Sequence, residues 1–461
     1  MDKMEQLVEK TYLKNTRLKL LENWSVQYLL ESKFSYNDLF DLVPIGSFLI
    51  KSRLKILIED DMIYQRVTVK INNNGVVPRD TEIGKNIGTK QQYLVKAGQF
   101  LMSKIDARNG AFGIVPENLE GAIVTNDFPV FDVNKTVINP EFLVLITTTK
   151  EFIKFAQSCS SGTTNRQRID IDLFLNVKIP LPSLAEQNRI VNAYNKKTKL
   201  AEKQEKNADD IETEIEVYLS SKLGIERGKR IIRKNGLQTI AYKEINRWAL
   251  SYLFKEQRFS MENSKYPIIP LKSLITFFEG GKTPSTSRKD FWGGGIFWTS
   301  AKDMKELFLE NVQDRITKKG VTEGKMKVYP VGTILGVFRS GILRHSFPVT
   351  LTKIETTINQ DLKAIGVDET MVKKEYFLFF LKTFQKFILE RAQKFGVTVE
   401  SINTDEFFEI PIVLPPLDIQ EKICVSITMM LSEIDELRSK SILIKQSAIK
   451  EFENEIFKPC N

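Results

Sequence analysis

The sequence predicts an α+β protein made from one unit used twice: a globular head followed by a long helix, with the two helices pairing antiparallel as a coiled coil. Three observations carry that expectation. Blocks of sequence recur in the same order at a nearly constant offset. The proline-rich turn that closes each head runs into a heptad of apolar residues. Between these landmarks lie short β-rich runs broken by turns, with a helical stretch late in each head.

The recurrence is explicit. The block around Trp24 returns around Trp248, 224 positions later, and Val95–Leu101 returns as Tyr329–Leu335, with Gly98 and Gly332 234 apart. The turn Ile179–Gln187 returns as Val413–Gln420, with Leu181 and Leu414 233 apart. The second copy therefore carries about ten extra residues early on. This divides the chain into an N-terminal segment 1–21 without an assigned role, a first head 22–182, a helix and linker 183–245, a second head 246–416 and a closing helix 417–461.

No helix runs through Pro180 or Pro182, so the first long one starts after them, with Ser183 as cap and Glu186 three residues on. Its seam is Ile190, Tyr194, Lys197, Ala201, Gln204, Ala208, Ile211, Ile215 and Tyr218. Shifted by 233, the same register gives Ile423, Ile427, Met430, Ile434, Leu437, Ser441, Ile444, Ala448 and Glu451. Lys197 and Gln204 weaken the first seam, so pairing the two helices within one chain lets it share the burial of the second. A helix of roughly 36 residues spans about 54 Å. Within the heads, Ile63–Ile71 and Val328–Phe338 read as strands, the former ending in the turn Asn72-Asn73-Asn74-Gly75. Pro140–Ser158 and Glu375–Lys394 read as helical.

Composition narrows the chemistry. With 67 Lys+Arg against 58 Asp+Glu the formal charge is +9 and the pI near 9.1, a balance compatible with nucleic acid. Cys159, Cys424 and Cys460 form no CxxC pair, which points away from a zinc site and toward a reducing compartment. His345 is the single histidine and stands in a polar loop, leaving little for imidazole catalysis or metal ligation. The charged N-terminus lacks a signal-type apolar region and no run reaches membrane-spanning length, so a soluble cytoplasmic protein is expected. Gly281-Lys282-Thr283 looks like the end of a phosphate loop, but Thr276 stands where its first glycine belongs and Pro284 disfavours the helix that must follow. Asn139-Pro140-Glu141-Phe142 is the nearest string to the (Asp/Asn)-Pro-Pro-aromatic motif of adenine methylation and lacks the second proline. The chain is therefore expected to bind no cofactor or metal and to hold no catalytic centre.

Candidate DNA contacts gather in polar loops. In the second head these are Lys282 and Thr283 of the Gly280–Thr286 loop, then Arg288, Lys302, Arg339 and Arg344. In the first head Ser160–Arg168 concentrates small donors with Arg166 and Arg168, while Lys104, Arg108 and Asn109 are weaker candidates. Arginine reads guanine edges bidentately, and lysine and hydroxyl groups suit phosphates. The equivalent stretch of the second head, Phe395–Asn403, has no arginine, so two such loops would not read the same bases. Ordinary solvated loops, with Trp292 and Trp298 as core residues, are the plain alternative.

Taken in order, the W-x-x-x-x-L openings, the turns Leu181-Pro182-Ser183-Leu184-Ala185-Glu186-Gln187 and Leu414-Pro415-Pro416-Leu417, and the stretch from Gly281-Lys282-Thr283-Pro284 through Trp298 to Asp303 resemble the specificity subunit of Type I restriction–modification enzymes. The resemblance spans nearly the whole chain. It implies two target-recognition domains, each reading one half of a split sequence in double-stranded DNA, with the helices setting the spacing. It also implies partners: DNA adenine methyltransferase subunits, which carry S-adenosylmethionine and flip the target base, and restriction/translocase subunits, which use ATP and magnesium. A coiled-coil scaffold whose heads bind proteins is the competing reading, and a stand-alone DNA enzyme a third.

Overall fold

The structure is a computed structural model that describes residues 36–158, 160, 161, 168–227, 259–394 and 399–457. Segment 1–21, Trp24, Trp248 and Arg166 lie outside the described residues. The chain forms two compact units, one of residues 1–203 with 440–461 and the other of residues 204–439. Each unit thus contains a head together with half of each long helix.

Both long helices are present, and each has 40 residues: Leu184–Leu223 and Leu417–Ile456. At the first one's start the Ser183 hydroxyl accepts from the Glu186 N–H at 3.3 Å, the capping role its position predicts. Gly224 stops it at φ +74°, where a Cβ would also meet the Asn263 carbonyl at 2.5 Å. Most of the heptad positions lie on the buried side of the helices, with Lys197, Gln204 and Tyr218 half-buried. Ile190, Ala201, Ala208, Ile215, Ile423, Ile427, Ile434 and Ala448 are buried, and Tyr194, Ile211, Met430, Leu437 and Ile444 are half-buried. Each helix departs from the register at its end: Glu451 is exposed while Phe452 and Ile456 are buried, and Leu219 and Leu223 are fully buried beside half-buried Tyr218.

Polar pairs flank the seam in each unit. In the first, Arg189 pairs with Glu455, and Lys197 pairs with Glu451 and reaches Ser447 at 3.0 Å. In the second, Arg438 meets Glu212 at 2.8 Å. Rising numbers on one helix meet falling numbers on the other, so the helices run antiparallel. Lys197 does not leave a charge stranded in the seam, because its ammonium finds a carboxylate on the partner helix.

The first head holds a four-stranded sheet in the order Leu49–Lys51, Val130–Val133, Phe100–Met102, Phe112–Ile114. A five-stranded sheet follows the order Lys55–Leu57, Gln91–Leu94, Ile123–Val124, Ile63–Val69, Val76–Ile83. Phe100, Phe112, Phe131, Phe152 and Phe174 are fully buried and pack ring on ring between the four-stranded sheet and the helices. The second head has a five-stranded sheet ordered Ile275–Gly280, Leu362–Val367, Ile334–Val337, Val349–Thr352, Phe308–Leu309. Beside it stands a three-stranded sheet, Arg315–Ile316, Trp292–Thr299, Thr356–Ile358.

Several elements are shorter than the sequence predicts. Pro140–Ser158 is two helices, Pro140–Thr147 and Lys150–Ser158. The hydroxyls of Thr148 and Thr149 bond back to Val144 and Ile146 carbonyls, each at 2.8 Å, and compete with the helix ladder at the break. Glu375–Lys394 divides into Lys374–Thr383 and Gln385–Ala392, and Gln393–Lys394 leaves the helix to pair as a strand with Ser401–Ile402. Of Val328–Phe338 only Ile334–Val337 is strand, because Gly332 turns the chain at φ +84°.

One joint is built twice. Gln187 and Gln420 are fully buried at the first turn of the two long helices. Gln187 accepts from the Asn139 N–H at 2.7 Å and donates to the Val137 and Pro182 carbonyls at 3.1 and 2.8 Å. Gln420 accepts from the Lys373 N–H at 2.8 Å and donates to Met371 and Pro415 at 3.0 and 2.8 Å. Each amide therefore fastens its long helix to the start of the helix late in its head, with all three bonds in place.

Candidate nucleic-acid interface

In the second head, strand ends decide where the predicted cations go. Gly280 pairs with Lys363 and Val337 with Leu362, so the end of Ile275–Gly280, the start of Leu362–Val367 and the end of Ile334–Val337 share one edge of the sheet. Thr299 pairs in parallel with Ile358, and the Asn359 N–H donates to the Thr299 carbonyl at 2.9 Å, which brings the three-stranded sheet's loops to the same edge. Lys282, Thr283, Lys302, Arg339 and Arg344 all follow strands that end there.

The Gly281–Ser287 loop is held rather than loose. The Lys282 N–H donates to the Ile358 carbonyl at 2.9 Å, and a Cβ on Gly281 would lie 1.9 Å from that same oxygen, so only glycine fits. Trp298 and Trp292 meet edge to face at 5.1 Å, and their indole N–H groups donate to the Lys282 and Ser285 carbonyls, each at 3.2 Å. Trp298 is buried and Trp292 half-buried, so these rings are both core and loop supports. Thr283 Oγ1 donates to Gln360. The Lys282 ammonium is exposed and has no ion pair among the described residues.

The remaining candidates differ in how far they are already engaged. Arg288 is bound to Asp290 at 2.8 Å and Glu323 at 3.1 Å and stacks on Phe291, so its charge closes the base of the loop. Those hydrogen bonds raise its pKa further and hold the Asp290 carboxyl far below the usual range. Lys302 pairs with Asp314 at 2.7 Å, which raises its pKa. Arg339 is exposed, and its backbone N–H, like that of Phe338, donates to the Asp361 carbonyl. Arg344 keeps 58% of its side chain exposed while its Nε donates to Glu400, whose side chain keeps 3%.

The first head assembles a smaller version on the same frame. The Ile169 N–H donates to the Lys104 carbonyl at 2.9 Å, as the Ile402 N–H does to Phe338 in the second head, so Lys104 and Phe338 are equivalent positions. Arg168 pairs with Asp127 at 3.1 Å, and the Lys104 N–H donates to the Asp127 carbonyl. Burial, and then Lys51 nearby, lowers the Lys104 pKa, so its charge is held at a cost. Arg108 is half-buried and its carbonyl accepts from Gln157, while exposed Asn109 accepts from the Asn72 N–H.

Sequence reasoning missed Asn359-Gln360-Asp361, Glu400, Asp127 and Lys51. The first three form a polar run between two strands and were findable. Glu400 and Asp127 matter through partners 56 and 41 residues away, which no local pattern reveals.

A family profile described as "Type I restriction modification DNA specificity domain" matches residues 32–210 and again 263–445. The Escherichia coli EcoR124I/EcoR124II specificity subunit is 35% identical over 31% of this chain and 36% of its own length. A Methanocaldococcus jannaschii relative, the MjaIX specificity subunit, is 28% identical over 38% of this chain and 40% of its own. The matched stretches thus cover about two fifths or less of these two relatives. A chain solved in work on complex assembly and conformational transition of the type I R-M system has the same fold at TM-score 0.55 and 16% identity, covering 92% of this chain and 98% of that one.

Proposed function

Since this chain belongs to the Type I restriction–modification DNA specificity family, we propose that it recognises a split target in double-stranded DNA, one part with each head, as the specificity subunit of such a complex. It contributes recognition and no catalysis. S-adenosylmethionine, ATP and magnesium belong to the methyltransferase and restriction subunits it gathers, in the cytoplasm. Among the described residues no helix is long and apolar enough to cross a membrane.

The observation that carries this reading is the loop edge of the second head, where exposed Lys282, Arg339 and Arg344 follow strands that end on one edge of the sheet and the Lys282 loop is pinned by two indole N–H groups. Exposed apolar residues on the last helix, Val425 and Met429 in one unit and Ile442 and Leu443 in the other, suit contacts with methyltransferase subunits. Co-expression with a cognate methyltransferase is expected to give N6-methyladenine at one two-part motif, absent without this chain. Binding of that DNA should weaken steeply with salt, because phosphate contacts release counterions. Binding insensitive to salt, with no motif dependent on the chain, would favour a protein-binding scaffold instead.

A further inference from the structure

Arg344 and Glu400 are built differently from the other ion pairs of this edge. The carboxylates of Asp290, Asp314 and Glu279 keep 43%, 34% and 37% of their side-chain exposure, but Glu400 keeps 3%. Burying a carboxylate is expensive even when paired. This one is satisfied only in part, since its Oε2 is buried without a hydrogen-bond partner. Its other oxygen takes the Arg344 Nε, and that contact holds the Glu400 carboxyl below its usual range. The backbone is fixed as well. The Ser340 N–H donates to the Glu400 carbonyl at 3.0 Å, and buried Leu343, next to Arg344, has its carbonyl bound by Gln393 at 2.9 Å.

The consequence is an arginine whose Nε is committed to an anchored carboxylate, which restricts its guanidinium, while 58% of its side chain stays exposed. Two parallel N–H donors in a fixed plane match the O6 and N7 acceptors of guanine, and fixing them beforehand reduces the ordering cost on binding. Lys282 has no comparable brace and suits a phosphate.

We propose that Arg344 reads a guanine in the half-site of the second head and that Glu400 is its positioning residue. The inference rests on the DNA-recognition reading above. It is tested by sequencing N6-methyladenine in cells that carry the methyltransferase with wild-type chain, Arg344→Ala, Glu400→Leu, Glu400→Gln or the Arg344→Ala/Glu400→Leu double variant. Arg344→Ala should relax one guanine-bearing position of one half-site by roughly tenfold or more. Glu400→Leu should relax that same position, and the double variant should add nothing to either single one. Glu400→Gln, whose amide oxygen still accepts from Nε, should keep the motif. A motif unchanged in Arg344→Ala overturns the inference and leaves the recognition reading standing. A uniform fall of methylation in Glu400→Leu, with no position relaxed, overturns the positioning role. Absence of any split motif with the wild-type chain overturns the recognition reading, and this inference with it.

Discussion

The two heads are alike where they meet the helices and unlike where their loops end. Gln187 and Gln420 make the same three bonds to equivalent backbone groups. At the loop edge the heads part company. Lys104 of the first head is replaced by Phe338 in the second, and among the described residues the first head shows the exposed Arg168–Asp127 pair where the second has Arg344 on its buried Glu400. The joint must repeat because each helix has to leave its head at a defined point. The loops can diverge because most of their charged side chains, such as Lys282, Arg339 and Arg344, stay exposed.

The largest effect is expected at the joint. Gln420→Leu leaves the Lys373 N–H and two carbonyls without partners, which should cost about 3 kcal/mol or more. Gln187→Leu should cost a similar amount, and thermal unfolding of the two variants measures both. Clearly unequal losses would break the equivalence of the joints. A charge in the seam comes next. Ile427→Asp at a buried position should destabilise by on the order of 3 kcal/mol and impair methyltransferase capture in a pull-down. Wild-type assembly by that variant would contradict the paired-helix account.

Smaller effects sharpen the contrast between the loops. Trp298→Phe removes the donor to the Lys282 carbonyl, for about 1 kcal/mol, and should lower DNA affinity several-fold while the melting temperature falls by only a few degrees. Lys104 gives the smallest change, and its sign is informative. Its pKa is lowered in the folded state, so the protonated form costs stability below that pKa, and the cost fades as pH rises through it. Lys104→Met should therefore stabilise the fold at pH 7 by less than about 1 kcal/mol, read as a slightly higher melting temperature, yet weaken DNA binding. A lower melting temperature would show the lysine to be structural.

Much of the frame was legible because it follows from backbone rules. Pro180 and Pro182 force the helix start, and the heptad from Ile190 onward sets its buried face. The breaks inside the shorter helices were less so, although Thr147-Thr148-Thr149 carries the signal in its hydroxyls. At the candidate interface the sequence located the cations but not their state. Arg288 and Arg344 look alike in sequence; one closes its loop between two exposed acids, while the other stands on a buried one. That distinction depends on a residue more than fifty positions away and on its burial, and both are products of the fold.

The central claim is that one repeated frame carries two unlike readings. Sequencing the methylated motif with wild-type chain, with Arg168→Ala and with Arg344→Ala tests it most directly. Each variant is expected to relax a different half of a two-part motif and leave the other half intact. Relaxation of the same half by both, or a motif with a single continuous part, would contradict the account.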